Sequence, residues 1–390
     1  MRTTEHPEIT VVAGGGPEDA VTVRYLRLAG TDREIGRDLA QAARAVHGSA
    51  AGPTLAPDPT VQRVRRRWFA QHHPVLAERM LGVADAFGVD ADDDRLDLAW
   101  LATYDGPAGC STVVYPGSGT KDGHTLLARN FDFPTATIDE LRGLPARPGT
   151  RRLAADPWIV ELHPEGGLAS VVIGIMDVLG GMDGVNEAGL AVSLLADNES
   201  PAPEPVGERV QVGLSEQQVV HYLLDTCTTA AEAQEALLLA KHYYAFVPCH
   251  FVVADRTGAS FVWEHSPGHN HEHVVGPDPG TAGRLVCTNH LLHRWPDAAD
   301  LPEEDGTLGT AALTYTRWRS LDASAGDGAV VDRTDIREQF RAVRFEAPLE
   351  GGRTYWHAIY DLEDAAVDVE LYVRDEDGRS RYTSPLRFGL

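Results

Sequence analysis

The sequence predicts an α+β fold built from layers of helices and sheets, and three observations lead to this class. Helical periodicity dominates the N-terminal quarter, short β-rich runs follow from Cys110, and two helices interrupt these runs before strands return beyond Tyr355. Regularly alternating strand and helix units, which would indicate a parallel βαβ architecture, do not recur. We therefore expect segregated helices and sheets.

The N-terminal part is predicted to hold one strand followed by helices. Apolar and polar residues alternate in the strand, as they do where one face is buried. A threonine and a proline mark where helices begin or break. The predicted elements are the strand Val21–Leu28, a helix capped by Thr31 with Glu34 as capping-box partner, a helix over 61–86 broken at Pro74, and a helix over 94–104.

From Cys110 onward the pattern is typical of short strands separated by Gly, Pro and Asp turns. Two segments in the middle, 215–225 and 230–241, have helical period and length instead, and Thr229 is a suitable cap for the second. The predicted strands are 111–115, 125–128, 158–162, 168–175, 190–195, a hairpin of 250–254 with 260–264, 357–360 and 367–373.

Size and charge exclude several classes of protein. With 390 residues, 43% of them hydrophobic, the chain can bury a large core. Its formal charge of −24 repels phosphate backbones and anionic lipid headgroups, so we expect neither nucleic acid nor membrane partners. The first ten residues lack an apolar stretch and no apolar run approaches a bilayer span, which predicts a cytoplasmic protein. The four cysteines show no CxxC spacing.

One block of sequence concentrates the chemically useful residues. Cys110 begins a predicted strand, and the next strand ends in Arg129-Asn-Phe-Asp132. Neighbouring strands of this kind place a thiol beside a guanidinium, which favours the thiolate, and beside a carboxylate. A cysteine before a strand is also commonly a small buried hydrophobic residue, and this block alone does not decide between the two.

Several motifs, found in order along the chain, resemble one enzyme family. They are Gly109-Cys-Ser-Thr112, Gly123-His-Thr-Leu-Leu-Ala-Arg-Asn-Phe-Asp-Phe133, Gly184-Val-Asn-Glu-Ala-Gly-Leu-Ala-Val192, the segments 27–36, 81–90 and 251–264, and Cys287-Thr-Asn-His290. Together they resemble the cysteine N-terminal-nucleophile (Ntn) hydrolases of the penicillin acyltransferase family, and more distantly the choloylglycine hydrolases and acid ceramidase-like amidases. The resemblance extends from about residue 20 to the C-terminus.

The resemblance implies a fold and a maturation step. The fold is a four-layer αββα sandwich with a helical N-terminal pro-segment, in which residues 1–109 and 110–390 form one domain. Family members are precursors that cut themselves before the nucleophile, here between Gly109 and Cys110. The freed α-amine of Cys110 has a reference pKa near 8, which suits a general base for its own thiol.

The resemblance also implies roles for individual residues. Arg129 would orient or activate the Cys110 thiolate, and Asp132 would bind the α-amino group. The amides of Asn186 and Asn289 match positions that bind the amine or the oxyanion of the tetrahedral intermediate. For Asn186, beside two glycines, a turn role is the equal alternative. For Asp132, capping of a turn is the alternative.

The downstream arginine of the family matches Arg317, with Arg319 close enough to compete for the assignment. Together these features predict an enzyme that cleaves a linear C–N amide through an acyl-Cys110 thioester. Transfer of the acyl group to an amine, with acyl-CoA as one conceivable donor, and binding of a small molecule without catalysis are the alternatives. We expect a small-molecule substrate, no cofactor and no metal, and leave homo-oligomerisation open.

Three other features of the sequence are weaker candidates. His265, His269, His271 and His273 could serve a metal, but a polar hairpin rim explains them better. The acidic run 90–94 lacks the Gly and Glu of a calcium loop, with Arg95 and Leu101 in their places. The basic run Arg63–Arg67 is predicted to be a solvated face or to form ion pairs within the chain.

Overall fold

The structure is a computed structural model of the chain. It describes residues 7–390 except for 49–50, 100–108, 142–143, 147–151, 176–178, 201–210, 246, 267–270, 278–282, 305–312, 325–328 and 348–350. The strands are β1 Ile9–Gly14, β2 Thr22–Gly30, β3 Thr54–Leu55, β4 Leu96–Asp97, β5 Gly109–Tyr115, β6 Leu126–Pro134, β7 Pro157–Pro164, β8 Ser170–Ile175, β9 Asp183–Asn186, β10 Ala191–Ala196, β11 Cys249–Ala254, β12 Ser260–Ser266, β13 His271–Val275, β14 Leu285–Cys287, β15 Gly352–Asp361, β16 Ala366–Glu376, β17 Arg379–Tyr382 and β18 Leu386–Gly389.

The helices are α1 Asp32–His47, α2 Pro59–His72, α3 Pro74–Phe87, α4 Ile138–Leu141, α5 Glu216–Thr226, α6 Ala230–Leu239, α7 Thr314–Ser324 and α8 Arg333–Arg341. The capping box predicted for α1 is confirmed: the backbone N–H of Glu34 donates to Thr31 Oγ1 (3.3 Å), and that of Thr31 donates to the Glu34 carboxylate (3.0 Å). The predicted break at Pro74 is also confirmed, since it separates α2 from α3.

Two large sheets contain nearly all the strands. The first has nine strands in the order β1-β2-β7-β8-β9-β10-β11-β12-β13, and the second has the order β14-β5-β6-β15-β16-β17, with β18 also paired to β16. Every pairing in both sheets is antiparallel except that of β2 with β7. This parallel pair joins the N-terminal part of the chain to the remainder of the nine-stranded sheet.

The two sheets stack face to face and helices cover both outer faces. Helices α1, α5 and α6 pack on the nine-stranded sheet, α7 and α8 pack on the seven-stranded sheet, and β5 contacts β10 across the interior. A continuous cluster of buried side chains, among them Trp158, Trp263 and Trp356, fills the space between the sheets and under α1. The predicted α+β class and the four-layer αββα arrangement are therefore confirmed.

Two glycines explain how the helical layer over β2 packs so closely. Gly36 of α1 and Gly82 of α3 lie where the two helices meet, and a Cβ atom on either would come within about 2 Å of a backbone carbonyl oxygen of the other helix. Both glycines belong to the motifs 27–36 and 81–90 that carry the resemblance. Close packing of α1 against α3 thus explains the glycines of these two motifs.

The structure differs from the sequence prediction in several places, and among them the strands β1, β14, β17 and β18 and helix α4 were not predicted. The helix expected over 94–104 is wrong in its described part, where Leu96–Asp97 forms the short strand β4 paired with β3, while 100–104 lie outside the described residues. Helices α7 and α8 were not predicted.

Among the described residues, no helix is both long enough and apolar enough to span a lipid bilayer.

Candidate active site

Cys110 lies near the start of β5, a strand flanked by β14 and β6 in the seven-stranded sheet. Its side chain is 1% exposed. The sulfur accepts a hydrogen bond from Arg129 Nη2 (3.1 Å). Arg129 and Asp132 both lie on β6, which pairs with β5 and places Phe131 opposite Cys110. The structure thus brings together the thiol, the guanidinium and the carboxylate of the chemically dense block.

The electrostatic environment leaves the thiol of Cys110 protonated in the uncut chain. Burial raises its pKa, and the charge and hydrogen bond of Arg129 offset only part of that effect. A thiol in this state becomes a nucleophile only when a base removes its proton. Arg129 alone therefore does not activate Cys110.

The carboxylate of Asp132 is buried between Arg317 and Thr354. Arg317 Nη1 lies 3.2 Å from Oδ2, and the Thr354 hydroxyl donates to Oδ1. A β-bulge between Thr354 and Trp356 in β15 places Thr354 directly opposite Asp132. Burial raises the pKa of Asp132 to about 6, against the lowering influence of Arg317 and Thr354. This is a carboxylate that ionises unusually close to neutral pH.

Asn289 binds the backbone nitrogen of Cys110. Its Oδ1 accepts from Cys110 N (2.9 Å) and from Arg317 Nη2 (2.5 Å), whereas its Nδ2 donates to the carbonyl oxygen of Ala196 (2.7 Å). These partners fix the orientation of the amide, since only the oxygen can accept from two donors. The oxygen of Asn289 therefore faces the nitrogen that cleavage would convert into an α-amine.

Arg317, on α7, contacts three parts of this cluster. Its Nη1 donates to the carbonyl oxygen of Cys110 (2.7 Å) as well as to Asp132, and its Nη2 donates to Asn289. Arg319 points elsewhere and donates to the carbonyl oxygens of Leu301 and Pro302. Residues two apart on a helix face different directions, so the geometry selects Arg317 over Arg319.

The structure does not bring Asn186 into this cluster. Its Nδ2 donates to the carbonyl oxygens of Leu224 (3.0 Å) and Cys227 (2.8 Å), and its Oδ1 accepts from the backbone N–H of Leu190 (3.0 Å). Both amide hydrogens are used, so none is left for an oxyanion. The contacts favour the turn alternative: Asn186 joins the β9–β10 turn to the end of α5.

Gly109 precedes Cys110 in β5 and pairs with Asp132 of β6. The Gly109–Cys110 bond therefore lies beside the carboxylate that the cluster holds. Residues 100–108, which lead into this bond, lie outside the described part of the chain.

Three site residues escaped the sequence analysis. Asp183 forms an ion pair with Arg129, Thr354 binds Asp132, and the hydroxyl of Thr314 accepts from the backbone N–H of Asn289 (2.7 Å). Asp183 directly precedes the motif 184–192 and could have been suspected from that position. Thr354 and Thr314 have no sequence signal, because their contacts join residues far apart along the chain.

The weaker candidates have structural explanations where the structure describes them. Arg63 and Arg66 pair with Asp94 (2.6 Å each) and Arg65 pairs with Asp97, so the ion-pair interpretation of this run is confirmed. In the histidine group, His265 packs against Trp263 and His242, and His273 stacks on His293; His269 lies outside the described residues.

Within the described residues, one group has the geometry to approach a cation: His124, Asp361 and Glu363. Asp361 already forms an ion pair with Arg333 and lies 3.0 Å from His124 Nδ1. The positive charge of Arg333 at the same carboxylate opposes a cation there. This group lies at the ends of β15 and β6 that are remote from Cys110, and we assign it no metal.

Comparisons with known proteins yield one family match and several similar solved structures. Residues 119–307 match the model of the acyl-coenzyme A:6-aminopenicillanic acid acyl-transferase family. No curated protein sequence matches the chain. Among solved structures, a mutant of conjugated bile acid hydrolase from Clostridium perfringens is 15% identical, with 70% of this chain and 92% of that chain covered and a TM-score of 0.44.

Two further solved structures are similar at the same level. Penicillin V acylase from Agrobacterium tumefaciens is 19% identical, covering 68% of this chain and 84% of that chain with a TM-score of 0.42. The N-acylethanolamine-hydrolyzing acid amidase ortholog of Caenorhabditis elegans is 16% identical, covering 65% of this chain and 93% of that chain with a TM-score of 0.37.

The αββα sandwich, with a cysteine near the start of a strand in one of its inner sheets, is the fold that the resemblance to the Ntn hydrolases implies. The resemblance to the acyl-coenzyme A:6-aminopenicillanic acid acyl-transferase family is confirmed over residues 119–307. Cys110 and Arg317 lie outside the matched stretch, so their roles depend on the geometry of the site.

Proposed function

We propose that the chain is an autoproteolytic cysteine amidohydrolase that cleaves a linear C–N amide through a thioester on Cys110. The observation that carries this proposal is the pair of contacts at Cys110: the sulfur accepts from Arg129, and the backbone nitrogen donates to the Asn289 oxygen, which Arg317 also binds. In Cys110, the sulfur proposed as the nucleophile is thus bound by a cation, and the nitrogen proposed as the base is bound by an amide oxygen.

Maturation begins when the Cys110 sulfur attacks the carbonyl carbon of Gly109. The C–N bond between the two residues breaks as the C–S bond forms, and the proton of the thiol passes to the departing nitrogen. Water then hydrolyses the thioester, which leaves the carboxylate of Gly109 on one chain and a free α-amine on Cys110. Residues 1–109 and 110–390 remain one domain.

In turnover the neutral α-amine takes the proton of the thiol, and the sulfur attacks the substrate carbonyl. The proton then passes from the amine to the leaving nitrogen, and water releases the acyl group from the thioester. Asn289 Oδ1 holds the α-amine, because it already accepts from the same nitrogen as an amide. Asp132, close to Arg317, balances the positive charge that the amine acquires.

What attacks the thioester distinguishes the two catalytic alternatives. Water gives hydrolysis of an acyl-amino acid or another linear amide, whereas an amine gives N-acyl transfer, which the name of the matching family favours as the second candidate. A small-molecule amide is the proposed substrate in both cases. The cytoplasmic location stays a prediction from the sequence.

Intact-mass measurement tests the proposal. Purified wild-type protein is expected to consist of two chains, 1–109 and 110–390, whereas Cys110→Ala gives one uncut and inactive chain. Cys287→Ala is the matched control: a second buried thiol, on the neighbouring strand β14, whose loss leaves cleavage intact.

Hydrolysis of acyl-amino acids, acyl-amines and penicillin-type amides, with and without an amine acceptor, then separates hydrolysis from transfer. An uncut but active wild-type protein would contradict the maturation step. An uncut and inactive protein, with Cys110 intact, would favour the alternative of a small-molecule-binding protein.

A further inference from the structure

Every terminal hydrogen of the Arg129 guanidinium has an identified acceptor. Nη1 donates to the carbonyl oxygen of Met182 (2.8 Å) and to Asp183, while Nη2 donates to the carbonyl oxygen of Leu194 (2.7 Å) and to the sulfur of Cys110 (3.1 Å). Three of these four acceptors belong to the nine-stranded sheet or lie next to its strands. The guanidinium crosses the interior of the sandwich, and one hydrogen is directed at the thiol.

Asp183 is the only carboxylate among these acceptors. It is fully buried on β9, and it accepts from three donors of the opposite sheet: Arg129 Nη1, Trp356 Nε1 (3.1 Å) and the Tyr360 hydroxyl (2.6 Å). Trp356 and Tyr360 lie on β15, which pairs with the strand of Arg129. The carboxylate is thus held rigidly, and its negative charge lies against the arginine that contacts the nucleophile.

We propose that Asp183 is a positioning residue that fixes Arg129 against the Cys110 sulfur and compensates its charge. This inference rests on the proposed function, since it concerns the reactivity of the same thiol. It assigns a task to a residue that the motif analysis did not include and that touches neither the sulfur nor the backbone of Cys110.

The charge of Asp183 has a consequence that a purely structural residue would not have. A guanidinium paired with a buried carboxylate stabilises a neighbouring thiolate less than an unpaired guanidinium does. Asp183→Asn keeps the shape of the side chain and removes the charge. The thiol of this variant should ionise at lower pH, while the looser guanidinium should slow turnover.

The experiment is the pH profile of Cys110 alkylation by iodoacetamide, followed by mass spectrometry of the Cys110 peptide, together with kcat and KM on the best amide substrate. For Asp183→Asn we expect the profile to move to lower pH by roughly one to three units, the range in which a nearby opposite charge acts. We also expect kcat to fall with little change in KM, because Asp183 is fully buried and acts on the reaction through Arg129.

Asp225→Asn is the matched control. Asp225 is a second fully buried carboxylate paired with a buried arginine, Arg79, and its contacts do not include any residue of the Cys110 cluster. This variant should lose stability and keep the alkylation profile of the wild type. A profile for Asp183→Asn that coincides with the wild type, or one for Asp225→Asn that moves as far, overturns the inference.

Tyr360→Phe decides the question if Asp183→Asn gives no folded protein. Loss of the Tyr360 hydroxyl leaves more negative charge on Asp183, so the alkylation profile should move to higher pH, opposite to the shift in Asp183→Asn. An unchanged profile in Tyr360→Phe then overturns the inference. A wild-type Cys110 that is neither cleaved nor alkylated overturns the proposed function itself, and this inference with it.

Discussion

Two buried clusters in this protein contain the same residue types, arginine and aspartate, but shift the pKa of their central aspartate in opposite directions. Between α3 and α5, Arg79 binds Asp225 through both terminal nitrogens (3.0 Å each), and its Nε donates to Asp32 (3.2 Å). Burial by itself would raise the pKa of Asp225, but the charge of Arg79 and the hydrogen bond of His73 outweigh it and hold the pKa well below its usual range. The Asp225 carboxylate is therefore electrostatically satisfied.

The cluster around Cys110 is not satisfied in the same way. Asp132 has a pKa raised to about 6 although Arg317 lies beside it, and burial keeps the pKa of the Cys110 thiol high although Arg129 donates to it. Groups whose ionisation is opposed by their surroundings are typical of sites that move protons. The difference between the clusters is the one expected between a structural ion pair and the proposed catalytic site.

The largest expected effect on stability comes from removing the arginine of the structural cluster. Arg79→Leu leaves Asp225 buried without its main partner, which should cost about 3–5 kcal/mol of unfolding free energy. Chemical denaturation of an uncut Cys110→Ala background measures this loss on a single chain. Arg33→Ala is the control, because the Arg33–Asp85 pair joins α1 to α3, the helix of Arg79, with side chains about half exposed. It should cost less than about 1 kcal/mol, and an equal loss in both variants would contradict the comparison.

The next effect distinguishes the two aspartates by the sign of their pH dependence. Asp132 holds its proton in the folded state up to about pH 6 but only to its ordinary pKa of 3.8 when unfolded. Its contribution to stability therefore falls as pH rises from 4 to 6, by about 3 kcal/mol in total. Asp225, with a lowered pKa, contributes stability that is present above pH 3.8 and is lost as pH falls below it.

Denaturation curves between pH 3 and pH 7, again on the uncut background, test both slopes. Asp132→Asn should remove the decline between pH 4 and 6, and Asp225→Asn should remove the loss below pH 4. Curves for Asp132→Asn that run parallel to the parent across this range would show that its carboxylate is not held protonated.

The smallest expected effect compares two asparagines. Asn289→Ala should slow turnover about 10²-fold, because the α-amine loses the acceptor that positions it as a base. Asn186→Ala should leave kcat nearly unchanged and cost about 1–3 kcal/mol of stability, since two carbonyl oxygens and one N–H lose a buried partner. Steady-state kinetics and thermal melting of both variants give the answer. A large fall in kcat for Asn186→Ala would restore Asn186 to the catalytic set.

The sequence predicts the fold better than it predicts individual contacts in the site. Periodicity and capping residues are local, so the Thr31 capping box and the break at Pro74 could be read directly. The order of the motifs then indicated the layered sandwich. The short strand at Leu96–Asp97 was missed because its partner, Thr54–Leu55, lies some forty residues earlier.

Within the site, the sequence predicts which residues lie close together, but it does not predict the individual contacts that would decide their roles. Cys110, Arg129 and Asp132 lie on adjacent strands, so their proximity follows from strand pairing. The choice between Arg317 and Arg319 depends on the rotation of α7, and the contact of Asp183 with Arg129 crosses from one sheet to the other. A single sequence contains neither the rotation nor the stacking of the sheets.

The parallel pairing of β2 with β7 has a thermodynamic consequence for a cut protein. Residues 1–109 supply β1, β2 and the helices α1–α3, so their departure would leave β7 with an unpaired edge and uncover the core under α1. Before cleavage, folding is a unimolecular equilibrium. After cleavage the same native structure requires two chains to meet, so its melting temperature should depend on protein concentration and its unfolding should be hard to reverse on dilution. The mature protein would then keep the fold that its precursor reached as a single chain, but it would refold poorly once the two chains had separated.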